Sequence, residues 1–174
     1  MIGLRVRDAA PTDRDAIVTV TLSAYREYAA LMPEIWERYR QNILETLAAV
    51  EPAAQIVAEQ DGRIVGTVLL YPAGSLLADG EDRAATRVHP EVRLLAVAPA
   101  VRRRGIGRAL MQECMRRARE SGATVLTLHT TDLMRAATRL YERMGFRRSP
   151  ELDFEPAPGV MVKGYYLPLE ETAP

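Results

Sequence analysis

Residues 91–111 read EVRLLAVAPAVRRRGIGRALM, and the rest of the chain takes its order from this stretch. Val92, Leu94, Leu95 and Val97 form a short apolar run with β-branched members, the composition of a buried strand. Pro99 ends it, because proline supplies no N–H to a sheet ladder. Arg102-Arg103-Arg104-Gly105-Ile106-Gly107 follows. From Ile106 the pattern turns helical: Ile106, Leu110, Cys114 and Ala118 fall on one line, with Met111 and Met115 beside it. The spacing predicts a strand, a basic glycine-bearing turn and a helix N-terminus in succession.

Such a junction suits a diphosphate. The first N–H groups of a helix lack intrahelical partners, and the macrodipole places partial positive charge there. Gly105 and Gly107 let an anion approach the backbone closely, and the arginines add charge and forked donors. A Walker A loop would need Gly-Lys-Ser/Thr, whereas Arg108-Ala109 follow Gly107. A dinucleotide fingerprint would need a third glycine where Leu110 stands and a place in the first strand–helix unit of its domain. Several elements precede this one.

Arg102-x-x-Gly105-x-Gly107, after Leu-Ala-Val-x-Pro and before a helix, resembles the acetyl-CoA pyrophosphate loop of the GCN5-related N-acetyltransferase (GNAT) family. Downstream, Ala137-x-x-Leu140-Tyr141-x-x-x-Gly145-Phe146 resembles the family's second signature, carried on the helix and strand that flank the thioester. The close match covers residues 90–147. The resemblance implies an α/β (α+β) fold, a mixed and mostly antiparallel twisted sheet of about six or seven strands flanked by about four helices. It implies a single acetyltransferase domain over residues 1–174. The implied activity is transfer of an acetyl group from acetyl-CoA, as cosubstrate, to a primary amine by direct attack in a ternary complex.

Composition excludes other classes. Among 174 residues, 23 basic and 23 acidic side chains give zero formal charge, so no global field draws nucleic acid or membrane. The one cysteine, Cys114, forms no intrachain disulfide and supports no cysteine-rich metal site. No signal sequence or membrane-spanning apolar run is evident, so a cytoplasmic, soluble protein is expected.

Leu4 and Val6 alternate with Arg5 and Arg7, a short half-exposed strand. Thr12, with Asp15 three residues later, is placed to cap a helix running to about Ala30, with Ile17, Val20, Ala24 and Tyr28 as its stripe. Pro33 fits the first turn of a second helix carrying Trp36, Tyr39, Ile43 and Leu47. Residues 55–60 and 63–71 read as a hairpin whose Asp61-Gly62 turn suits type I′. Residues 72–90 are a long loop with an acidic cluster, Asp79, Glu81 and Asp82, placed to contribute to an acceptor-side lid. Strands are then expected at 124–129, from Phe146 and at 160–169, with a helix around 134–144.

On the resemblance, Leu95, Ala96 and Val97 hold the pantetheine arm through backbone groups, the Val97 N–H facing the oxyanion. Arg102, Arg103, Arg104, Gly105, Ile106, Gly107 and Arg108 take the diphosphate. Tyr141 stands near the thioester sulfur. A thiol titrates near about 8.5 and a phenol near about 10, so hydrogen-bond support of the departing thiolate is expected rather than full proton transfer. Glu91 matches a general-base glutamate of a subset of the family, and a partly apolar cleft raises such a carboxyl toward neutrality. His89 is a reserve base. His129 reads as a strand-end structural histidine, Asp132 as a turn former and Cys114 as packing. Met134 stands where the family often has a pantetheine-binding asparagine; with Ala137 it borders the cofactor arm. One of Arg135, Arg139 and Arg143 is within reach of the 3′-phosphate region on this reading.

The acceptor side falls to the first two helices and the long loop. Tyr25, Tyr28, Trp36 and Tyr39 are candidates for an aromatic pocket, with ordinary helix packing as the competing reading, and Glu34 or the loop acids for attracting an ammonium. A small amine or a peptide or protein amine fits, and a homodimer is compatible. Two other classes compete. One is a catalytically silent acyl-CoA sensor or regulatory module on the same fold. The other is a nucleic-acid binder using Arg102–Arg104, which overall neutrality disfavours.

Overall fold

The computed structural model describes residues 3–76 and 87–169; Asp79, Glu81 and Asp82 lie outside them. Among the described residues, eight strands form a mixed sheet accompanied by four α-helices. The chain divides into two compact units, residues 1–70 with 94–113, and residues 71–93 with 114–174.

The first unit holds β1 (Leu4–Asp8), α1 (Arg14–Tyr25), α2 (Trp36–Ala48), β2 (Ala54–Gln60) and β3 (Arg63–Tyr71) up to Leu70, with residues 94–97 of β4 (Glu91–Val97) and the start of α3 (Ile106–Glu120). β1 pairs antiparallel with β2, from Leu4↔Gln60 to Asp8↔Ile56, and β2 with β3. Asp61 (φ 51°) and Gly62 (φ 73°) are both left-handed, as a type I′ hairpin requires. Thr12 lies in a 3-10 turn, Pro11–Asp13, and Asp13 accepts the Ala10 N–H instead at 2.7 Å. Arg7 joins Asp13 and Glu59 at 2.6 Å each, tying that turn to β1 and β2. Helix α1 ends at Tyr25 and tightens into a 3-10 turn, Arg26–Tyr28, while α2 begins three residues after Pro33. The core gathers Ile17, Val20, Ile43, Ile56, Val57, Val68, Ile106, Leu110 and Met111. An added Cβ on Gly66 would meet Ile106 Cγ2 and Leu110 Cδ1 at 3.0 Å and Ala96 O at 3.1 Å, so the missing side chain lets α3 settle onto β3.

The second unit holds the first residues of β4, the rest of α3, β5 (Val125–Thr130), α4 (Arg135–Arg143), β6 (Arg147–Arg148), β7 (Phe154–Ala157) and β8 (Val160–Pro168). β4 pairs parallel with β5 at Glu91↔Thr127 and Val92↔Leu128. β5 is meanwhile paired antiparallel with β8 along its whole length. The strand expected from Phe146 resolves into two short ones, β6 and β7, separated by a 3-10 turn at Pro150–Leu152; proline breaks the ladder there. An added Cβ on Gly164 of β8 would lie 2.3 Å from Leu152 Cβ, so that turn is pressed onto bare backbone. The extra short strand brings the count to eight.

Candidate functional site

In the first unit, the predicted strand–turn–helix junction is present. Leu94, at φ 49°, breaks the regularity of β4 in mid-strand, a costly conformation for a leucine. Beyond it the strand edges sort cleanly. The Ala98 N–H donates to Val65 O on β3 at 2.9 Å. The Leu95 carbonyl instead accepts the Tyr25 hydroxyl at 3.3 Å, and the Val97 carbonyl accepts Arg102 Nε at 3.4 Å. A strand residue's N–H and C=O point to the same edge. The Leu95 and Val97 amides therefore face away from β3, the orientation an oxyanion donor needs.

After Pro99, Arg103 (φ 62°) and Gly105 (φ 80°) are both left-handed. Such turns gather successive N–H groups into an anion-binding concavity. It opens on the first turn of α3, which carries no acidic residue. Ile106 is 2 % exposed and anchors that turn. Arg103, Arg104 and Arg108 are exposed. Among the described residues nothing engages their guanidinium groups. Arg102 differs. Its NH1 donates to Glu27 Oε2 and its NH2 to Ala24 O, both at 2.8 Å. The expectation of a diphosphate ligand therefore does not describe its side chain.

On the acceptor side of this unit the aromatic residues form a line. Tyr25 lies 5.9 Å from Tyr28 and 6.0 Å from Tyr39, and Tyr39 6.3 Å from Trp36, between ring centroids. An open groove of about 630 Å³ runs between α1 and α2, lined by Leu22, Ser23, Arg26, Trp36, Glu37 and Arg40. Glu34 is exposed.

In the second unit, Tyr141 is 6 % exposed and its ring lies 5.9 Å from that of Phe146. The spacing of the second signature has a structural cause. The Phe146 N–H returns to Tyr141 O and the Gly145 N–H to Glu142 O, both at 3.0 Å, with Gly145 at φ 95°. This is a Schellman cap, complete with its apolar contact between Phe146 and Tyr141. Leu-Tyr-x-x-x-Gly-Phe is thus the cap that fixes the tyrosine on the last turn of α4. Met134 precedes α4 with no side-chain cap, and Ala137 is half-buried. Asp132 is held by Lys163 at 2.6 Å, and Arg135 and Arg139 line a shallow groove of about 490 Å³ with it and Thr138. Cys114 is buried, as a packing residue should be.

Glu91 stands in a buried polar cluster. It is 6 % exposed and accepts Arg87 Nε at 2.9 Å, with His129 Nδ1 at 3.3 Å. His129 Nε2 faces Leu152 O at 2.9 Å; a carbonyl only accepts, so that nitrogen carries a hydrogen. Arg87 also donates to Leu76 O and lies over the Tyr71 ring at 4.3 Å. Burial by itself pushes the Glu91 carboxyl up. The hydrogen bond and charge of His129, with the charges of Arg87 and Arg93, outweigh it and hold the group below the ordinary glutamate range. The expected rise toward neutrality is therefore reversed. Arg87 carried no signal in the sequence: a loop arginine four residues before a glutamate is ordinary until the fold buries both. His89 is half-buried beside this cluster in sequence, and nothing among the described residues bonds its ring.

Similarity to known proteins agrees with this geometry. The chain is 33 % identical over 125 residues to a probable N-acetyltransferase, camello, of Xenopus tropicalis, covering 72 % of this chain and 52 % of that one. The chain spans about half the length of the curated relatives it matches. Among solved structures, the ribosomal-protein-S18-alanine N-acetyltransferase of Escherichia coli superposes with a TM-score of 0.66 at 18 % identity, over 98 % of this chain and 96 % of that one. A GNAT family acetyltransferase of Brucella melitensis, solved in complex with acetyl-CoA, gives 0.62 at 23 %, over 98 % and 91 %. At such identities the superpositions speak for the fold. The sequence also matches the acetyltransferase (GNAT) family over residues 21–146, and on that match the chain belongs to this family.

Proposed function

We propose that this chain transfers an acetyl group from acetyl-CoA to a primary amine by direct attack in a ternary complex. The reading rests most on one observation. Three arginines with no partner among the described residues, Arg103, Arg104 and Arg108, flank an acid-free helix mouth directly after a strand whose edge amides are turned from its neighbour. That arrangement binds a diphosphate and lays an amide-bearing arm along Leu95, Ala96 and Val97. Gly105, Ile106 and Gly107 contribute backbone N–H groups, and Met134 and Ala137 border the arm.

The amine nitrogen attacks the thioester carbonyl, and the carbonyl π electrons move to its oxygen, which the Val97 N–H stabilises. The nitrogen gives its proton to water. The tetrahedral carbon then collapses, the C–S bond breaks with its electron pair on sulfur, and the Tyr141 hydroxyl donates to that thiolate. Glu91 holds Arg87 and His129 in this scheme and takes no proton, because a carboxyl held below its usual range is a poor base.

Thiol release from acetyl-CoA, followed across a panel of small amines, amino acids and peptide N-termini, tests the proposal. Turnover on at least one amine, dependent on both substrates, is expected. Acetyl-CoA binding without turnover across the panel would overturn it and favour a silent acyl-CoA module.

A further inference from the structure

We propose that Arg102 is a positioning residue for the acceptor side of the site, binding the end of α1 to the outward edge of β4. The inference rests on the acetyl-transfer reading above. All three guanidinium nitrogens are engaged within the protein, with Val97 O at 3.4 Å, Glu27 Oε2 at 2.8 Å and Ala24 O at 2.8 Å. Ala24 O is one of the last-turn carbonyls of α1, where a cation is also favoured by the helix dipole. The same loop therefore divides its charges. Arg103, Arg104 and Arg108 stand free in solvent among the described residues, while Arg102 turns back into the protein.

A second tie lies one residue along. The Tyr25 hydroxyl donates to Leu95 O at 3.3 Å, and Tyr25 packs edge-on against Tyr28. The charge of Glu27, which Arg102 holds, also acts on the Tyr28 hydroxyl. Burial first, and then Glu27, push the Tyr28 hydroxyl up to about 12, so it stays a donor throughout the working range. Two alternate carbonyls of β4, those of Leu95 and Val97, thus fix the Tyr25–Tyr28 segment. The amides on that same edge are the ones assigned to the cofactor arm and the oxyanion. Loosening the tie shifts the aromatic wall against the strand and leaves the grip on the diphosphate intact.

The test compares Arg102→Gln with Arg104→Gln, measuring acetyl-CoA affinity by calorimetry and amine kinetics by thiol release. Arg102→Gln is expected to change acetyl-CoA affinity less than about threefold and to lower kcat/KM for the amine at least about tenfold, chiefly through the amine KM, in line with charge-assisted hydrogen bonds lost at a positioning group. Arg104→Gln is expected to do the reverse. Arg102→Lys keeps the charge and restores part of the loss. In a Glu27→Gln background, Arg102→Gln costs less than in the wild type, because the Glu27 contact is already weakened while those to Ala24 O and Val97 O are still there to lose. Tyr25→Phe, which removes the second tie, raises the amine KM and serves if the arginine variants fold poorly. Loss of acetyl-CoA affinity in Arg102→Gln equal to that in Arg104→Gln overturns the proposal, as does an unchanged amine KM in both Arg102→Gln and Tyr25→Phe. Absence of turnover on every amine defeats the acetyl-transfer reading instead. The acetyl-CoA comparison still decides this one, wild-type affinity in Arg102→Gln supporting it and the loss just described overturning it.

Discussion

Tyr141→Phe is expected to lower kcat for acetyl transfer by about tenfold to a hundredfold, the worth of one hydrogen bond to a developing charge. Coenzyme A affinity should change less than about twofold, since the thiolate exists only as the C–S bond breaks. The substitution keeps the ring, so its contact with Phe146 and the cap at Gly145 survive. Unchanged thermal stability would show that the loss is chemical. Steady-state kinetics with a poorer thiol leaving group sharpens the result, because the deficit should grow as the departing thiolate becomes more basic. A variant with wild-type kcat would remove Tyr141 from the mechanism.

The second large effect is on stability. Glu91→Ala is expected to cost about 3–5 kcal/mol, because it leaves the Arg87 guanidinium buried without its counter-charge. The side chains are only 3 % and 8 % exposed, so solvent cannot take over. Replacing both partners, Arg87→Met with Glu91→Leu, should cost much less than Glu91→Ala alone. Denaturant unfolding of the three variants measures this. The sign with pH follows from the direction of the Glu91 shift. Its carboxyl lies below the ordinary value in the folded chain. The contribution is therefore fully present above the unfolded glutamate value of about 4.3 and disappears as pH falls through the lower folded value. Wild-type stability should drop more steeply in that acid window than Glu91→Gln does. A catalytic base would behave differently. Its removal would leave stability intact and reduce kcat by two orders of magnitude or more.

What the sequence revealed follows the range of the forces involved. The Asp61-Gly62 turn, the Ile106-Leu110-Cys114-Ala118 line and the proline end of β4 are set by neighbours a few residues away, and all three are found. The cap at Gly145 is equally local: six residues hold every group it needs. The remainder depends on contacts distant in sequence. Arg102 reads as one of three equivalent loop cations until Glu27 and Ala24, some 75 positions earlier, claim its guanidinium. Glu91 reads as a solvated carboxylate or a raised one, and only burial beside Arg87 and His129 decides the direction. The left-handed Leu94 has no sequence mark, since leucine gives no preference for it. Helix α1 stops at Tyr25 although its apolar stripe continues to Tyr28; a 3-10 turn follows, and the Tyr28 ring lies against that of Tyr25.

The most direct measurement of the central claim compares coenzyme A with pantetheine, which lacks the diphosphate and nucleotide, by calorimetric titration. If helix-mouth amides and unengaged arginines grip the diphosphate, coenzyme A binds at least about a hundredfold more tightly, several charge-assisted hydrogen bonds being at stake. Replacing Arg103, Arg104 and Arg108 together by alanine should then shrink that ratio to less than about tenfold and flatten its salt dependence. Pantetheine binding as tightly as coenzyme A, or a ratio untouched by the triple substitution, would contradict the account.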